Sequence, residues 1–451
     1  MNVLWGIAGM LGLLAIAFAC STNRRAIKPR TVASASALQM AFGVVVLFIP
    51  AGRSALRGAA AAVQAVIDSS KEGIGFLFGT ILPKDGIVFA FQVLPVIVFF
   101  ASLTSILYHL GWLQKVVEVL GGALARLLGT ERAESVNAAA NIFLGQTEAP
   151  LVIKPYLPGL TRSGLFAVMV GGLSTVAGSV LVGYALLGAN LDYLIAASFM
   201  AAPGALLMAK IMVPEDGTIT SPVRGSGRDG SGTDGSGADG SGTDGSGAVD
   251  PSEQGGPAAE TEPAADAEPA RARNVIDAAA TGAAEGLKLA LNIGAMLLAF
   301  ISLIALLNLI LGALGGLVGH GDLTFQTILG YAFAPVMTMI GVPWGEAAQA
   351  GSFVGQKVIV NEFVAFSAFG PVEAQLSDKT AAIVTFALTG FANLGSLGIL
   401  LGGLGSLAPA KRPEIAHLGM RAVLAATLAN LMSATIAGGV WSSRVVDRIP
   451  S

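Results

Sequence analysis

The chain has 451 residues, of which 53% are hydrophobic and 12% charged, with a mean hydropathy of +0.71 and a formal net charge of −3. Soluble domains carry about 25% charged residues, so this composition is that of an integral membrane protein. The near-neutral balance offers no basic patch for nucleic acid, and the single cysteine, Cys20, excludes an internal disulfide or a cysteine-rich metal site.

The first 20 residues are apolar and lack the basic start of a secretory signal. Ala17-Phe18-Ala19 before Cys20 is a poor lipoprotein match, so this stretch reads as an uncleaved first crossing. Arg24, Arg25, Lys28 and Arg30 follow directly and belong in the cytoplasm, which puts the N-terminus outside. Apolar segments at 33–50, 87–110, 164–188, 191–213, 274–311, 381–403 and 418–440 can each cross a hydrocarbon core, for which about 20 residues suffice. Eight crossings place both termini outside. Lys115, Arg126, Arg132, Lys411 and Arg412 fall on the cytoplasmic side of this scheme, and 312–346 lacks Lys and Arg, as an external loop does. Arg53, Arg57, Lys71 and Arg444 fall on the opposite side.

Two regions are too polar for simple crossings. After an amphipathic helix at 112–128 comes 133–158, with Asn137, Asn141, Gln146, Thr147, Glu148 and Lys154. After a second amphipathic helix at 324–340 comes 344–369, with Gln356, Lys357, Asn361 and Glu362. Polar or irregular backbone at membrane depth survives only when buried in protein or lining a wet cavity, which re-entrant hairpins achieve. The spans that follow are interrupted alike, by Gly171-Gly-Leu-Ser-Thr-Val-Ala-Gly-Ser179 and by Thr389-Gly-Phe-Ala-Asn-Leu-Gly-Ser396. Corresponding broken segments in two halves mark a transporter site, and three spans before the first hairpin make the repeat an inverted one.

The expected organisation is all-α and polytopic. Residues 1–110 form N-terminal scaffold helices, 111–213 the first repeat, 274–312 a long scaffold helix, 313–442 the second repeat and 443–451 a tail. Between the halves, 214–273 carries a five-residue Gly-Ser-Gly-x-Asp repeat and reads as a flexible, solvated cytoplasmic linker. Gly225–Gly230 spells G-x-G-x-x-G, but with no strand before it or helix after it this is no nucleotide fingerprint. The aspartates at 229, 234, 239 and 244 lack the nine-residue spacing of calcium repeats.

An ionisable group at membrane depth is a functional-site hypothesis by default, which singles out Glu148 and Glu362. Their surroundings are Asn141-Ile-Phe-Leu-Gly145-Gln146-Thr147-Glu148-Ala149-Pro150, continuing Leu-Val-Ile-Lys-Pro-Tyr156, and Gly355-Gln-Lys-Val-Ile-Val-Asn361-Glu362-Phe363-Val-Ala365. With Gly390-Phe-Ala-Asn-Leu-Gly-Ser396, these motifs resemble the concentrative nucleoside transporters over nearly all of 1–212 and 274–442. The resemblance implies that Gln146, Thr147 and Glu148 contact the nucleobase, that Val180 and Phe391 pack on its faces, and that Glu362, Asn393 and Ser396 hold the ribose hydroxyls. It also implies sodium at Asn141, Leu144, Thr175 and Val176, a homotrimer in the bacterial inner membrane, no cofactor, and a transport domain that moves against a fixed scaffold.

The chemistry agrees with that implication. Two carboxylates accept charge-assisted hydrogen bonds from hydroxyl and ring N–H groups, and an aromatic ring stacks on a base. Bland alternatives exist for each residue: Glu148 and Glu362 could pair with Lys154 and Lys357, Thr175 could back-bond to its own helix, and Asn141 could cap a hairpin tip. Phe391 could face core or lipid, and His109, His320 and His417 are isolated. A carboxylate could carry a proton in place of sodium, although Asn141 and Thr175 supply the neutral oxygens that suit a hard cation. A membrane enzyme lacks its usual motifs here, with no H-E-x-x-H or G-x-S-x-G. A cation channel would not need the amide–hydroxyl–aromatic set.

Overall fold

A computed structural model describes residues 2–83, 88–216, 272–317 and 319–441. Most of the expected linker at 214–273 and all of the expected tail at 443–451 lie outside the described residues. Those described are helical, with no strand among them. The N-terminal helices are α1 (Asn2–Ala19), α2 (Pro29–Phe48), α3 (Pro50–Phe78), α4 (Leu94–His109) and α5 (Trp112–Leu128). There follow α6 (Arg132–Ala140), the single turn α7 (Ala149–Val152), α8 (Arg162–Ser174), α9 (Gly178–Leu186) and α10 (Leu191–Met212). The second half comprises α11 (Val275–Gly316), α12 (Phe325–Met339), α13 (Trp344–Ile359), α14 (Glu362–Phe369), α15 (Asp378–Leu388), α16 (Leu394–Leu407) and α17 (Arg412–Trp441).

Six of these spans are long and apolar enough to cross a membrane, or seven if α12 and α13, bent by 117° at their junction, count as one. Eight crossings were expected. Two of the expected segments contain shorter apolar helices, Leu4–Ala19 and Leu394–Leu407. The 29-residue α3 is an addition to the expected elements. Arg53, Arg57, Asp68, Lys71 and Glu72 keep its hydropathy low, yet Leu56, Ala60, Val63, Ile67 and Ile74 return at helical spacing and pack inward.

Burial divides the helices into two kinds. The most apolar windows of α8–α9 and of α10 are 94% buried, against 6% for α11. The core therefore sits around α8, α10, α15 and α17, which pack on one another. Helix α11 packs mainly on α4. Small residues let the two backbones approach: a Cβ on Gly282 would stand 2.8 Å from the Ala101 carbonyl oxygen, and one on Gly286 2.9 Å from Val98 Cα.

The two interrupted spans break where their glycines and polar residues stand. Helix α8 stops at Ser174, Thr175 is extended, and α9 resumes at Gly178. Helix α15 stops at Leu388, Gly390 adopts φ +150°, and α16 begins after its cap, Asn393. The breaks lie against each other, since the Phe391 amide donates to the Thr175 carbonyl at 3.2 Å. Asn430 of α17 spans both: its Nδ2 donates to the Ser174 carbonyl (2.7 Å) and to the Thr389 carbonyl (2.8 Å).

Gly390 has no room for a side chain. A Cβ there would stand 2.5 Å from Asn430 Oδ1 and 2.7 Å from the Ser174 carbonyl, with a positive φ besides. We expect Gly390→Ala to cost about 1–3 kcal/mol of stability, read as a lower unfolding temperature of the detergent-purified protein. Wild-type melting would contradict this account of the break.

Candidate functional site

The turn between α6 and α7, the expected tip of the first hairpin, runs from Asn141, which ends α6, to Glu148, which precedes α7. It rests on both broken spans. The Gly178 amide donates to the Phe143 carbonyl at 3.1 Å. Gly172 leaves just enough space for Gln146, and Gly403 of α16 leaves it for Thr147, whose methyl would stand 2.7 Å from an added Cβ. The second hairpin turns at Val360 and Asn361, where the Asn361 side chain caps α14 through the Val364 amide (2.8 Å). Beneath it, Tyr184 stacks on Phe366 with ring centroids 4.4 Å apart and meets Phe363 edge-on at 4.8 Å.

Between these two turns lies a cavity of about 460 Å³, within the range of roughly 300–1,000 Å³ typical of small-molecule sites. All eight residues expected to touch the substrate line it: Gln146, Thr147, Glu148, Val180, Glu362, Phe391, Asn393 and Ser396. Glu362 is buried and accepts a hydrogen bond from Asn393 Nδ2 at 2.8 Å, while Asn393 Oδ1 accepts from the Ser396 amide at 2.7 Å. Glu148 accepts a long bond from the Gly145 amide, 3.4 Å, and is otherwise open to the cavity. Gln146 Oε1 is buried without a partner. The two carboxylates thus stand in one chamber with amide and hydroxyl groups between them. Neither forms a salt bridge with the lysine in its own motif: Lys154 is exposed, and Lys357 donates to Ala387 and Asn430, acting on Glu362 only at longer range.

Sequence reading missed one wall. Leu289, Asn292, Ile293 and Met296 of α11 close the cavity. Asn292, an amide within an apolar run, was the available signal. A second cavity, of about 540 Å³, shares Thr147, Glu148, Ala177, Leu289 and Asn292 with the first and extends along α11 to Glu285 and Tyr108.

Of the residues expected to hold sodium, Asn141 and Thr175 both meet Gly171 of α8. Asn141 is fully buried, its Nδ2 bonded to the Asn137 carbonyl and its Oδ1 without a partner. Gly171 faces that amide, with space for a Cβ only 3.4 Å from Asn141 Nδ2. Thr175, one turn on, does back-bond to the Gly171 carbonyl (2.9 Å), which still leaves its oxygen lone pairs. Leu144 and Val176 are buried in the same two segments. The donor chemistry, a buried amide oxygen without a partner and the Thr175 hydroxyl at the end of α8, fits a hard monovalent cation.

Comparison with known proteins gives one answer along the whole chain. Residues 8–81 match the profile described as Na+ dependent nucleoside transporter N-terminus, 90–191 that of nucleoside recognition, or gate, and 193–438 that of Na+ dependent nucleoside transporter C-terminus. The chain belongs to the concentrative nucleoside transporter family. It is 50% identical to the uncharacterized transporter YutK of Bacillus subtilis, covering 97% of this chain and 99% of that one. It is 45% identical to the nucleoside permease NupC of Helicobacter pylori, covering 96% and 97%. A structure of CNTnw in an inward-facing substrate-bound state superposes with a TM-score of 0.85 at 48% identity, covering 98% of this chain and 99% of that one. The family is one of permeases, not of enzymes, and its members are multi-pass membrane proteins.

Asn393 has two duties in this transporter, and one substitution separates them. Asn393→Ser keeps an oxygen that can cap α16 but removes the N–H that meets Glu362. Losing a hydrogen bond to a charged group costs about 1.5–3 kcal/mol. With Glu362 no longer oriented, nucleoside affinity, measured by equilibrium binding, is expected to fall by about tenfold to a hundredfold, and unfolding temperature to fall less than in Asn393→Ala, which loses the cap as well. Equal loss of both would show the residue to be structural alone.

Proposed function

We propose that this transporter is a secondary active symporter that imports uridine-like nucleosides across the bacterial inner membrane, coupled to sodium. The supporting observation is that both hairpins and both broken spans contribute to one chamber, with the eight side chains named above on its walls. Gln146, Thr147 and Glu148 would read the base edge, and Val180 and Phe391 would cover its faces. Glu362, Asn393 and Ser396 would hold the ribose. Asn141, Leu144, Thr175 and Val176 would receive the sodium ion. The family profile's description and the name of a relative, the sodium/nucleoside cotransporter 2 of Rattus norvegicus (34% identical), favour that ion over a proton.

One ion is sufficient to drive accumulation. A cation crossing about 100 mV gains roughly 2.3 kcal/mol, and a tenfold ion gradient adds about 1.4 kcal/mol. Together they support several-hundredfold concentration of a neutral solute. Alternating access would come from an elevator-type movement of the buried bundle that bears the hairpins, past a scaffold that includes α11. The long apolar exposure of α11 fits lipid and the neighbouring copies of a homotrimer.

Proteoliposomes holding the purified protein should accumulate uridine under an inward sodium gradient and not under a pH gradient alone; the reverse pattern would assign the coupling to protons. Glu362→Gln should abolish this uptake while the protein still inserts, and near-normal transport would remove Glu362 from the site. Phe391→Ala should weaken uridine binding by about 1–3 kcal/mol if the ring stacks on the base. An unchanged affinity would place the ring elsewhere.

A further inference from the structure

The carboxyl ends of two half-helices, α8 and α15, meet inside the protein, and the chain treats them differently. Each end leaves carbonyls without helical partners and carries the negative pole of a helix dipole. At the end of α15 the chain supplies its own cation. Lys357 Nζ donates to the Ala387 carbonyl at 2.7 Å and to Asn430 Oδ1 at 2.8 Å. The side chain is 1% exposed and forms no ion pair among the described residues. Its hydrogen bonds go to neutral oxygens, a helix-end carbonyl and an amide, and the buried Glu362 carboxylate attracts it without touching it.

At the end of α8 the hydrogen bonds come from neutral groups: Asn430 Nδ2 to Ser174, the Phe391 amide to Thr175, and the Ser174 and Thr175 hydroxyls to Gly171. No cationic side chain is among these donors, and the Asn141 amide oxygen beside them has no partner. The two positions also correspond in the hairpins. Asn141 ends the first arm of one, at the close of α6, and Lys357 stands in the last turn of α13, the first arm of the other. The same kind of oxygen cradle therefore occurs twice, once filled by a tethered ammonium and once not.

We propose that Lys357 is a resident cation, occupying at the α15 break the place that a coupling ion takes at the α8 break, so that one sodium and not two moves with each nucleoside. The inference rests on the sodium reading given above. An ammonium is a compact point charge that accepts carbonyl and amide oxygens as a sodium ion does. Being tethered, it never leaves. The second break therefore stays neutralised whether or not the first is loaded.

The test is to shorten the tether. Lys357→Thr removes the ammonium, leaves space and adds one neutral oxygen. In proteoliposomes the reversal potential of uridine-coupled current should give one sodium per uridine for wild type and two for Lys357→Thr. The Hill coefficient for sodium should rise from about one to about two. In uridine-free detergent solution, the rise of unfolding temperature with sodium concentration should be steeper for the variant. Lys357→Arg, which keeps the charge, should stay at one. Two ions in wild type or in the Arg variant would overturn the proposal. So would a folded Thr variant with one ion and an unchanged sodium slope, or a Thr variant that stays unfolded in saturating sodium, since sodium then cannot replace the ammonium. Wild-type uptake indifferent to sodium would instead defeat the reading beneath the proposal.

Discussion

The architecture depends on how backbone polar groups are satisfied where two helices are interrupted inside an apolar protein. An unpaired carbonyl away from water is costly, and each break creates several. Asn430 answers part of that demand at both breaks with one amide group, and Lys357 in turn holds the Asn430 oxygen. The four half-helices around the breaks are thereby fixed to α17, and the hairpin tips have a rigid surface to rest on. Gly172, Gly390 and Gly403 mark where that surface comes too close for any side chain.

The chamber follows from this arrangement. Broken helices point their ends inward, so amide, hydroxyl and carboxylate groups can sit at mid-depth without a lipid-facing polar surface. Asn361 and Asn393 each cap a half-helix and also line the chamber. The groups that end the helices are thus also the groups presented to a ligand, and Glu362 is oriented by one of them.

The site was legible in the sequence because polar residues are rare there. In a chain with 12% charged residues, each Glu, Gln or Asn within an apolar stretch carries much information. All eight residues that the family resemblance assigns to the substrate line one cavity, although the apolar Val180 and Phe391 carry no such signal by themselves. What escaped has equally physical causes. Hydropathy hid α3, whose charges dilute an apolar stripe that helical spacing alone would have revealed. The hydrogen-bond partner of Lys357 could not be read locally: Glu362, the near candidate, acts on it only through charge, whereas Asn430 lies 73 positions away. The α11 wall was overlooked because Asn292, the polar residue that marks its face, stands in an unbroken apolar helix that reads as a simple crossing.

That wall differs in kind from the rest of the chamber. Leu289, Asn292, Ile293 and Met296 form one stripe along α11. None of them takes part in the hydrogen bonds that secure the breaks. Their side chains can change in bulk or polarity while the bonded core is left untouched. Among descendants of a common carrier, a taste for one base over another could therefore diverge along this stripe without putting assembly of the protein at risk.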